Sequence, residues 1–228
     1  MFYINIHTHN PSGDPEIFEI QNLLHTQTDF IKKCPGHLFS LGVHPWHTKD
    51  IHLEKEIDKI KRYAYSKNVI AIGECGLDKL KGAVLEAQID IFKAHALIAE
   101  ELKKPLIIHC VRAYQEIISI HQKINPIVPW IIHDFNKNEK LADQLIKSGF
   151  ILSFGKSLCD NKPYLLKLFS ELPDDYYFFE TDEETGVKLK LLYECAAKIK
   201  NISLEKLVEI IKHNFERCFK IKADDFIK

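Results

Sequence analysis

Eight short apolar segments recur along the chain, and each is bounded by glycine, proline or polar residues. We predict strands at 2–7, 16–24, 38–45, 68–74, 105–110, 129–134, 150–155 and 176–182. Most of them are separated by stretches with apolar residues at helical spacing, at 51–67, 83–102, 113–124, 138–149 and 163–172. Regular alternation of strand and helix is typical of a parallel sheet.

The predicted strands are apolar along nearly their whole length, which indicates a sheet covered on both faces. Eight strand and helix units in 228 residues predict an α/β protein, a (β/α)8 TIM barrel that forms a single domain over residues 1–228. A doubly wound open sheet is the alternative. The segment at 10–15 is too short to hold a crossover helix, so we expect the barrel to be abbreviated in its first units. Helices at 187–200 and 203–219 end the chain.

Composition limits the choice of partners. The formal net charge is -1, from 31 basic and 32 acidic side chains, so no overall positive field attracts polyanions, although a local basic patch is compatible with it. The apolar runs are shorter than a membrane span, and the first residues lack the features of a secretory signal. We therefore expect a cytoplasmic protein with no membrane partner, and nothing indicates an obligate protein partner.

Polar residues of a particular kind follow the apolar segments. Each is a type that binds metals or exchanges protons: His7, His9, His44, Glu74, His109, His133 and Asp182. In a (β/α)8 barrel the carboxyl ends of all strands converge, so these groups are expected to meet. His7 and His9, two positions apart on a strand, project to the same face. Together the histidines and carboxylates suffice for two divalent ions.

Each of these residues also has an ordinary structural explanation. A single histidine after a strand is commonly hydrogen-bonded to the backbone. Glu74 could cap a turn or pair with a lysine, and Asp182 could cap the helix that follows it. The combination, rather than any one member, favours a metal site.

With these segments assembled, the chain resembles the TatD family of metal-dependent hydrolases, which are amidohydrolase-like barrels associated with deoxyribonuclease activity. The resemblance runs nearly from end to end. It rests on HTH at 7–9, GVHPW at 42–46, IGECGLD at 72–78, PLIIHCVRA at 105–113, IIHDF at 131–135 and ETD at 180–182.

The resemblance implies a ligand set. His7, His9 and Asp182 would hold one cation, His109 and His133 a second, and Glu74 would bridge them, with Asp182 and Glu74 acting in catalysis. His44 would contact substrate or phosphate. Arg112 is the candidate for the family's phosphate-binding arginine, although it lies one residue later than usual. The metals could be Zn, Mn, Fe, Ni or Mg, since imidazole and carboxylate ligands suit several of them.

The chain departs from the family pattern at several points. Asn5 stands where the family usually has an aspartate, the loop after His133 carries Asp134 and a polar segment at 136–138, and residues 183–185 replace a proline-containing segment. These departures put substrate preference in doubt more than metal binding.

The leading functional interpretation is a divalent-metal-dependent phosphodiesterase, a deoxyribonuclease that uses a two-metal-activated water, with Asp182 accepting its proton. Cations that follow predicted strands could contact DNA phosphates: Lys79, Lys81, Arg112, Lys137 and Lys156. One alternative is hydrolysis of a small amide, lactone or other ester, favoured by the near-neutral charge and by Glu183 and Glu184. Another is a catalytically weak metal-binding barrel.

Two further expectations concern residues outside this set. The other histidines are expected at the surface or in helix caps: His25, His37, His47, His52, His95, His121 and His213. Trp46 is expected to pack against the protein, or else to stack on a base or ring.

Overall fold

A computed structural model describes residues 2–49, 51–184 and 189–222. Its strands are β1 (Tyr3–Thr8), β2 (Ile17–Leu24), β3 (Leu38–Gly42), β4 (Val69–Asp78), β5 (Leu106–Val111), β6 (Trp130–Ile132), β7 (Phe150–Phe154) and β8 (Tyr177–Phe179). They form an eight-stranded sheet in chain order. The pairing is parallel. Eight parallel strands in this order, alternating with helices, confirm the predicted (β/α)8 topology.

The helices are α1 (Phe30–Lys33), α2 (Leu53–Ala64), α3 (Leu85–Leu102), α4 (Tyr114–Ile124), α5 (Glu139–Lys147), α6 (Pro163–Glu171), α7 (Leu189–Lys200) and α8 (Leu204–Phe219). Nothing helical separates β1 from β2 within the described ranges, and only the four-residue α1 lies between β2 and β3. The predicted abbreviation is therefore confirmed. Residues 187 and 188, predicted to begin the helix now seen as α7, lie outside the described residues.

Side-chain caps explain where two helices begin. The Asn138 side chain accepts from the backbone N–H of Leu141 at 3.0 Å, at the start of α5. The Ser203 hydroxyl accepts from the N–H of Lys206 at 3.2 Å, at the start of α8. Each cap satisfies a backbone donor that the first helical turn leaves without a partner. No helix in the described ranges combines the length and apolar character needed to cross a membrane.

Contacts divide the described chain into two compact units, one built from 2–21 with 133–222 and the other from 22–132. In the first unit, an aromatic cluster fills the space between β7, β8, α6 and α7, with Phe169, Phe179 and Tyr193 fully buried. The Tyr193 hydroxyl accepts from the N–H of Ile4 and donates to its carbonyl, at 3.0 and 2.9 Å. These bonds attach α7 to the strand that carries His7.

Asn5 has a structural role in the same unit. Its side-chain amide donates to the Thr181 hydroxyl at 2.9 Å, and its side-chain oxygen accepts from the backbone N–H of Thr181 at 3.2 Å. An ionised aspartate could accept but not donate. The amide therefore suits this link between β1 and the segment after β8.

In the second unit, β4 and β5 approach closely because of a glycine. Gly76 has φ of 152° and pairs in register with His109, and a Cβ on it would lie 1.9 Å from the His109 carbonyl oxygen. Any side chain at this position would push β5 away. Gly76 therefore sets the position of His109 relative to the carboxylates of β4.

His95 in α3 is fully buried, so the expectation of a surface or capping role is wrong. Its Nδ1 bonds to the Ile91 carbonyl at 2.8 Å, and its Nε2 accepts from the backbone N–H of Val43 at 3.0 Å. The ring thus holds the segment that leads to His44. Burial lowers the pKa of His95 to about 4.

His95 makes the stability of the fold depend on pH. Its pKa is about 4 in the folded chain and 6.5 ordinarily, so the unfolded chain takes up the proton first as the pH falls. The free energy of unfolding should therefore decrease by about 3 kcal/mol between pH 6.5 and pH 4, and then level off. Denaturant titrations of the wild type and of His95→Gln across this range would measure the difference in slope. An identical pH dependence in both proteins would contradict the assignment.

Candidate metal centre

The first unit gathers two histidines around one carboxylate. His7 lies in β1 and His9 just after it, with ring centroids 5.2 Å apart, as expected for positions i and i+2 of a strand. Asp182 follows β8 and forms a parallel bridge with Thr8. Its carbonyl accepts from the N–H of His9 at 2.9 Å, and its N–H donates to the His7 carbonyl at 3.1 Å. The backbone therefore holds Asp182 beside both rings.

The side-chain separations fit a shared cation. Asp182 Oδ1 lies 3.4 Å from His7 Nε2 and 3.5 Å from His9 Nε2. Such distances are long for hydrogen bonds, whereas two ligands bound tetrahedrally at ~2.1 Å from one ion are about 3.4 Å apart. The three groups form part of a cluster whose ligand atoms all lie within 4.8 Å of one another. His7, His9 and Asp182 therefore suit a divalent ion.

His133 lies next to this group in the first unit, with its ring centroid 4.7 Å from that of His7. Glu180 Oε1 is 3.2 Å from His133 Nδ1 and accepts from the backbone N–H of Asp134 at 2.8 Å. A buried carboxylate facing Nδ1 favours the tautomer that leaves Nε2 available to bind a metal. Glu180 thus orients His133.

Negative charge accumulates around these residues. Burial raises the pKa of Asp134 to about 6, and the nearby charges of Glu180 and Asp182 contribute to the increase. Because carboxylates held close together repel each other, a bound cation would stabilise the group.

The second unit places Glu74 between two imidazoles. Glu74 Oε1 is 3.0 Å from His44 Nε2 and 2.9 Å from His109 Nδ1, and these two nitrogens are 3.3 Å apart. The Glu74 side chain is only 2% exposed. A carboxylate removed from water in this way requires positive charge or hydrogen bonds. The three residues form a second cluster of metal-ligand size.

Neighbouring groups distinguish the two histidines of this cluster. His44 Nδ1 accepts from the backbone N–H of Trp46 at 3.1 Å, so its Nε2 carries the hydrogen and acts as a donor. His109 Nε2 faces the Asp78 carboxylate at 3.5 Å, and its Nδ1 faces Glu74 at 2.9 Å, so Nδ1 is the candidate metal ligand. His109 is therefore a suitable ligand, and His44 a suitable hydrogen-bond donor.

Asp78 connects His109 to the loop after β4. Its Oδ2 accepts from the Trp46 indole N–H at 2.6 Å, and its Oδ1 accepts from the N–H of Leu80 at 2.7 Å. Burial alone would raise the pKa of Asp78, but the bonds from Trp46 and Leu80 outweigh it and hold the pKa below its usual value. Asp78 is therefore a carboxylate that can fix the ring of His109.

The predicted site residues thus fall into two local groups. His7, His9, His133 and Asp182 lie together in the first unit, and His44, Glu74 and His109 in the second. Arg112 is exposed and has φ of 56°, directly after β5. Of the other predicted phosphate contacts, Lys79 pairs with Glu116 at 2.5 Å and Lys156 with Glu184 at 3.5 Å.

Glu180 and Asp78 were not predicted as site residues. A signal for both exists in the sequence, because Glu180 lies two positions before Asp182 and Asp78 four positions after Glu74. Even spacing along an extended segment places side chains on the same face. The same rule that paired His7 with His9 therefore applies to these carboxylates.

A parallel β/α barrel whose strand ends carry clusters of imidazole and carboxylate groups has the features of a metal-dependent hydrolase. Comparison with known proteins agrees with this class. The family model described as TatD related DNase matches residues 18–220. The chain therefore belongs to the TatD-related DNase family, and the predicted family, a family of metal-dependent hydrolases, is confirmed.

Individual relatives are similar over most of the chain. The uncharacterized metal-dependent hydrolase YcfH of Escherichia coli is 28% identical over 211 residues, which cover 86% of this chain and 78% of YcfH. The 3'-5' ssDNA/RNA exonuclease TatD of Yersinia pseudotuberculosis is 31% identical over 159 residues, 65% of this chain and 58% of that protein.

A solved structure has the same fold. The crystal structure of YJJV, a TatD homolog from Escherichia coli, aligns with a TM-score of 0.82 at 16% identity, covering 96% of this chain and 98% of that one. This similarity confirms the predicted barrel.

Proposed function

We propose that this protein is a divalent-metal-dependent phosphodiesterase that cleaves single-stranded nucleic acid, with DNA as the main substrate. The proposal is carried by the buried Glu74 carboxylate, which lies within 3.0 Å of a nitrogen of His44 and of His109. Family membership supports it, as does the relative that is named as a single-strand exonuclease.

The ligands we propose are those that the family resemblance implies. His7, His9 and Asp182 hold one cation, His109 and His133 hold a second, and Glu74 contributes to both. A carboxylate faces one ring nitrogen of each histidine, Asp78 at 3.5 Å from His109 Nε2 and Glu180 at 3.2 Å from His133 Nδ1, which supports metal binding through the other nitrogen. Such cations, when bound, lower the pKa of a water molecule and polarise a phosphoryl oxygen.

The protein's own groups would position the phosphodiester and move the proton. Asp182, next to His7 and His9, accepts the proton of the attacking water. The Nε2–H of His44 donates to a phosphate oxygen of the substrate. His44 gives up its contact with Glu74 to do so. Arg112 lies at the carboxyl end of β5 and contributes a guanidinium to the phosphate.

A substrate panel tests this function. Protein stripped with a chelator should cleave neither DNA nor RNA single strands, and each of Zn, Mn, Ni, Fe and Mg should be added back separately. We expect that protein reloaded with at least one of these metals cleaves a labelled single-stranded DNA again. The same reloaded protein should not cleave a panel of lactones. Elemental analysis of protein purified without added metal would give the number and identity of the ions.

The second candidate function is hydrolysis of a small ester or lactone. The net charge of -1 favours it, because a protein without a positive field gains little affinity for a polyanion. Cleavage of a lactone with DNA left intact, in metal-loaded protein, would replace the nuclease proposal with this one.

A further inference from the structure

We propose that Trp46 and Lys81 form a nucleotide-binding subsite, in which a base of the single-stranded substrate stacks on the indole and the lysine pairs with a phosphate. This inference rests on the proposed function and names a part of the substrate that the metal ligands do not touch. The subsite lies entirely within the second unit.

The indole is placed beside the cluster around Glu74. Trp46 is 40% exposed, so part of its ring surface is accessible to solvent. Its ring centroid is 4.9 Å from that of His44 and 5.9 Å from that of His109. A nucleotide whose phosphate contacts His44 would therefore have its base or a neighbouring base within reach of the indole.

A cation already occupies the surface of the ring. The Lys81 ammonium lies 3.6 Å from the Trp46 ring centroid, and Lys81 is exposed. This cation–π contact marks an electron-rich surface that solvent can reach. A base can take the position over the ring while the flexible lysine turns toward the phosphate. Lys81 then exchanges its cation–π contact with Trp46 for an ion pair with the phosphate.

The support for the subsite is rigid. Gly82 has φ of 87°, and a Cβ on it would lie 2.1 Å from the Pro45 carbonyl oxygen, so the loop after β4 packs directly against the segment that carries Trp46. The Gln88 amide donates to the carbonyls of Lys81 and Ala83, at 2.9 and 2.7 Å. A platform that is already ordered binds its ligand with a smaller entropic cost.

The exposed surface of the Trp46 indole favours a ligand that binds through the face of an aromatic ring. The only donor of the indole, Nε1–H, is bonded to Asp78 at 2.6 Å, so the side chain offers a π surface and no donor to a ligand. Every nucleobase has such a face, and stacking of this kind tolerates any sequence. We therefore expect the subsite to bind single strands without preference for a particular base.

Fluorescence provides a direct test, because the chain has two tryptophans and the other, Trp130, is fully buried. Metal-loaded protein would be titrated with a cleavage-resistant phosphorothioate oligodeoxythymidylate and with an abasic oligonucleotide of equal length. The thymidylate should quench the emission and the abasic strand should not. The quench should persist in Trp130→Phe and disappear in Trp46→Phe. Equal quenching by both strands, or none by the thymidylate, would overturn the subsite.

Kinetics separate stacking from the hydrogen bond to Asp78. Trp46→Phe keeps a ring but loses the N–H, whereas Trp46→Leu loses both. On base-bearing single-stranded DNA or RNA, Trp46→Leu should raise KM about 10-fold or more and Trp46→Phe only a few-fold, whereas any change in kcat caused by losing the N–H to Asp78 should be the same in both variants. On abasic strands, which offer no base to stack, Trp46→Leu and Trp46→Phe should have the same KM. Lys81→Met should raise KM on both base-bearing and abasic strands. The slope of log K for binding against log salt concentration should become shallower by about 1, as expected for the loss of one phosphate contact.

The outcomes distinguish this inference from the proposed function. If the wild type cleaves DNA and Trp46→Leu has the same KM as the wild type, the subsite is refuted and the proposed nuclease function is retained. A wild type that binds thymidylate with quenching but cleaves no nucleic acid would refute the nuclease and retain the subsite.

Discussion

Glu74→Gln is expected to reduce metal-dependent cleavage of single-stranded DNA by about 10³-fold or more, at the upper end of losses caused by removing a single electrostatic stabiliser. The amide has nearly the same shape but carries no charge. In the native chain Glu74 is buried and lies within 3.0 Å of a nitrogen of His44 and of His109. Loss of this charge removes the ligand proposed to serve both cations.

Initial rates and metal content, measured on the same preparation, would check this expectation. Glu101→Gln is the matched control, since its carboxylate is exposed in α3 and bonds to Tyr65 and Lys61. Circular dichroism would confirm that both variants fold. A Glu74→Gln protein with full metal content and a rate within a few-fold of wild type would refute the role of Glu74.

Asp182→Asn is expected to lower kcat by roughly 10²- to 10⁴-fold, the contribution typical of a general base. An asparagine side chain still presents an oxygen toward His7 and His9 but cannot accept the proton of water. Metal content should fall less than the rate, because part of the ligand set survives. This pattern would separate proton transfer from metal binding.

The measurement pairs elemental analysis with single-turnover kinetics on a labelled strand. Asp143→Asn, an exposed position in α5, controls for the loss of one surface charge. If Asp182→Asn lost metal and activity in equal proportion, and added metal restored both, Asp182 would be a ligand only.

Most of the architecture could be predicted from local pattern. The apolar runs that form β1 to β8 and the helical spacing of α2 to α8 depend on interactions between near neighbours, and so does the missing crossover helix, because residues 10–15 are too few to form one. The candidate metal-binding residues were also visible, because histidines and carboxylates follow several of the apolar runs. The burial of His95 was not visible, because its position in a helix does not reveal which face the barrel covers.

The chain by itself determined which residues are extended or helical, and which polar groups end the strands, because backbone sterics and hydrophobic spacing act over a few residues. Only the tertiary structure decided how those groups are paired. His95 meets Val43 across 52 positions, His109 meets Glu74 across 35, and Asn5 meets Thr181 across 176. These contacts decide which distant groups face each other, for example that His109 Nδ1 faces the buried Glu74 carboxylate. They arise from packing between distant segments, which no local pattern encodes.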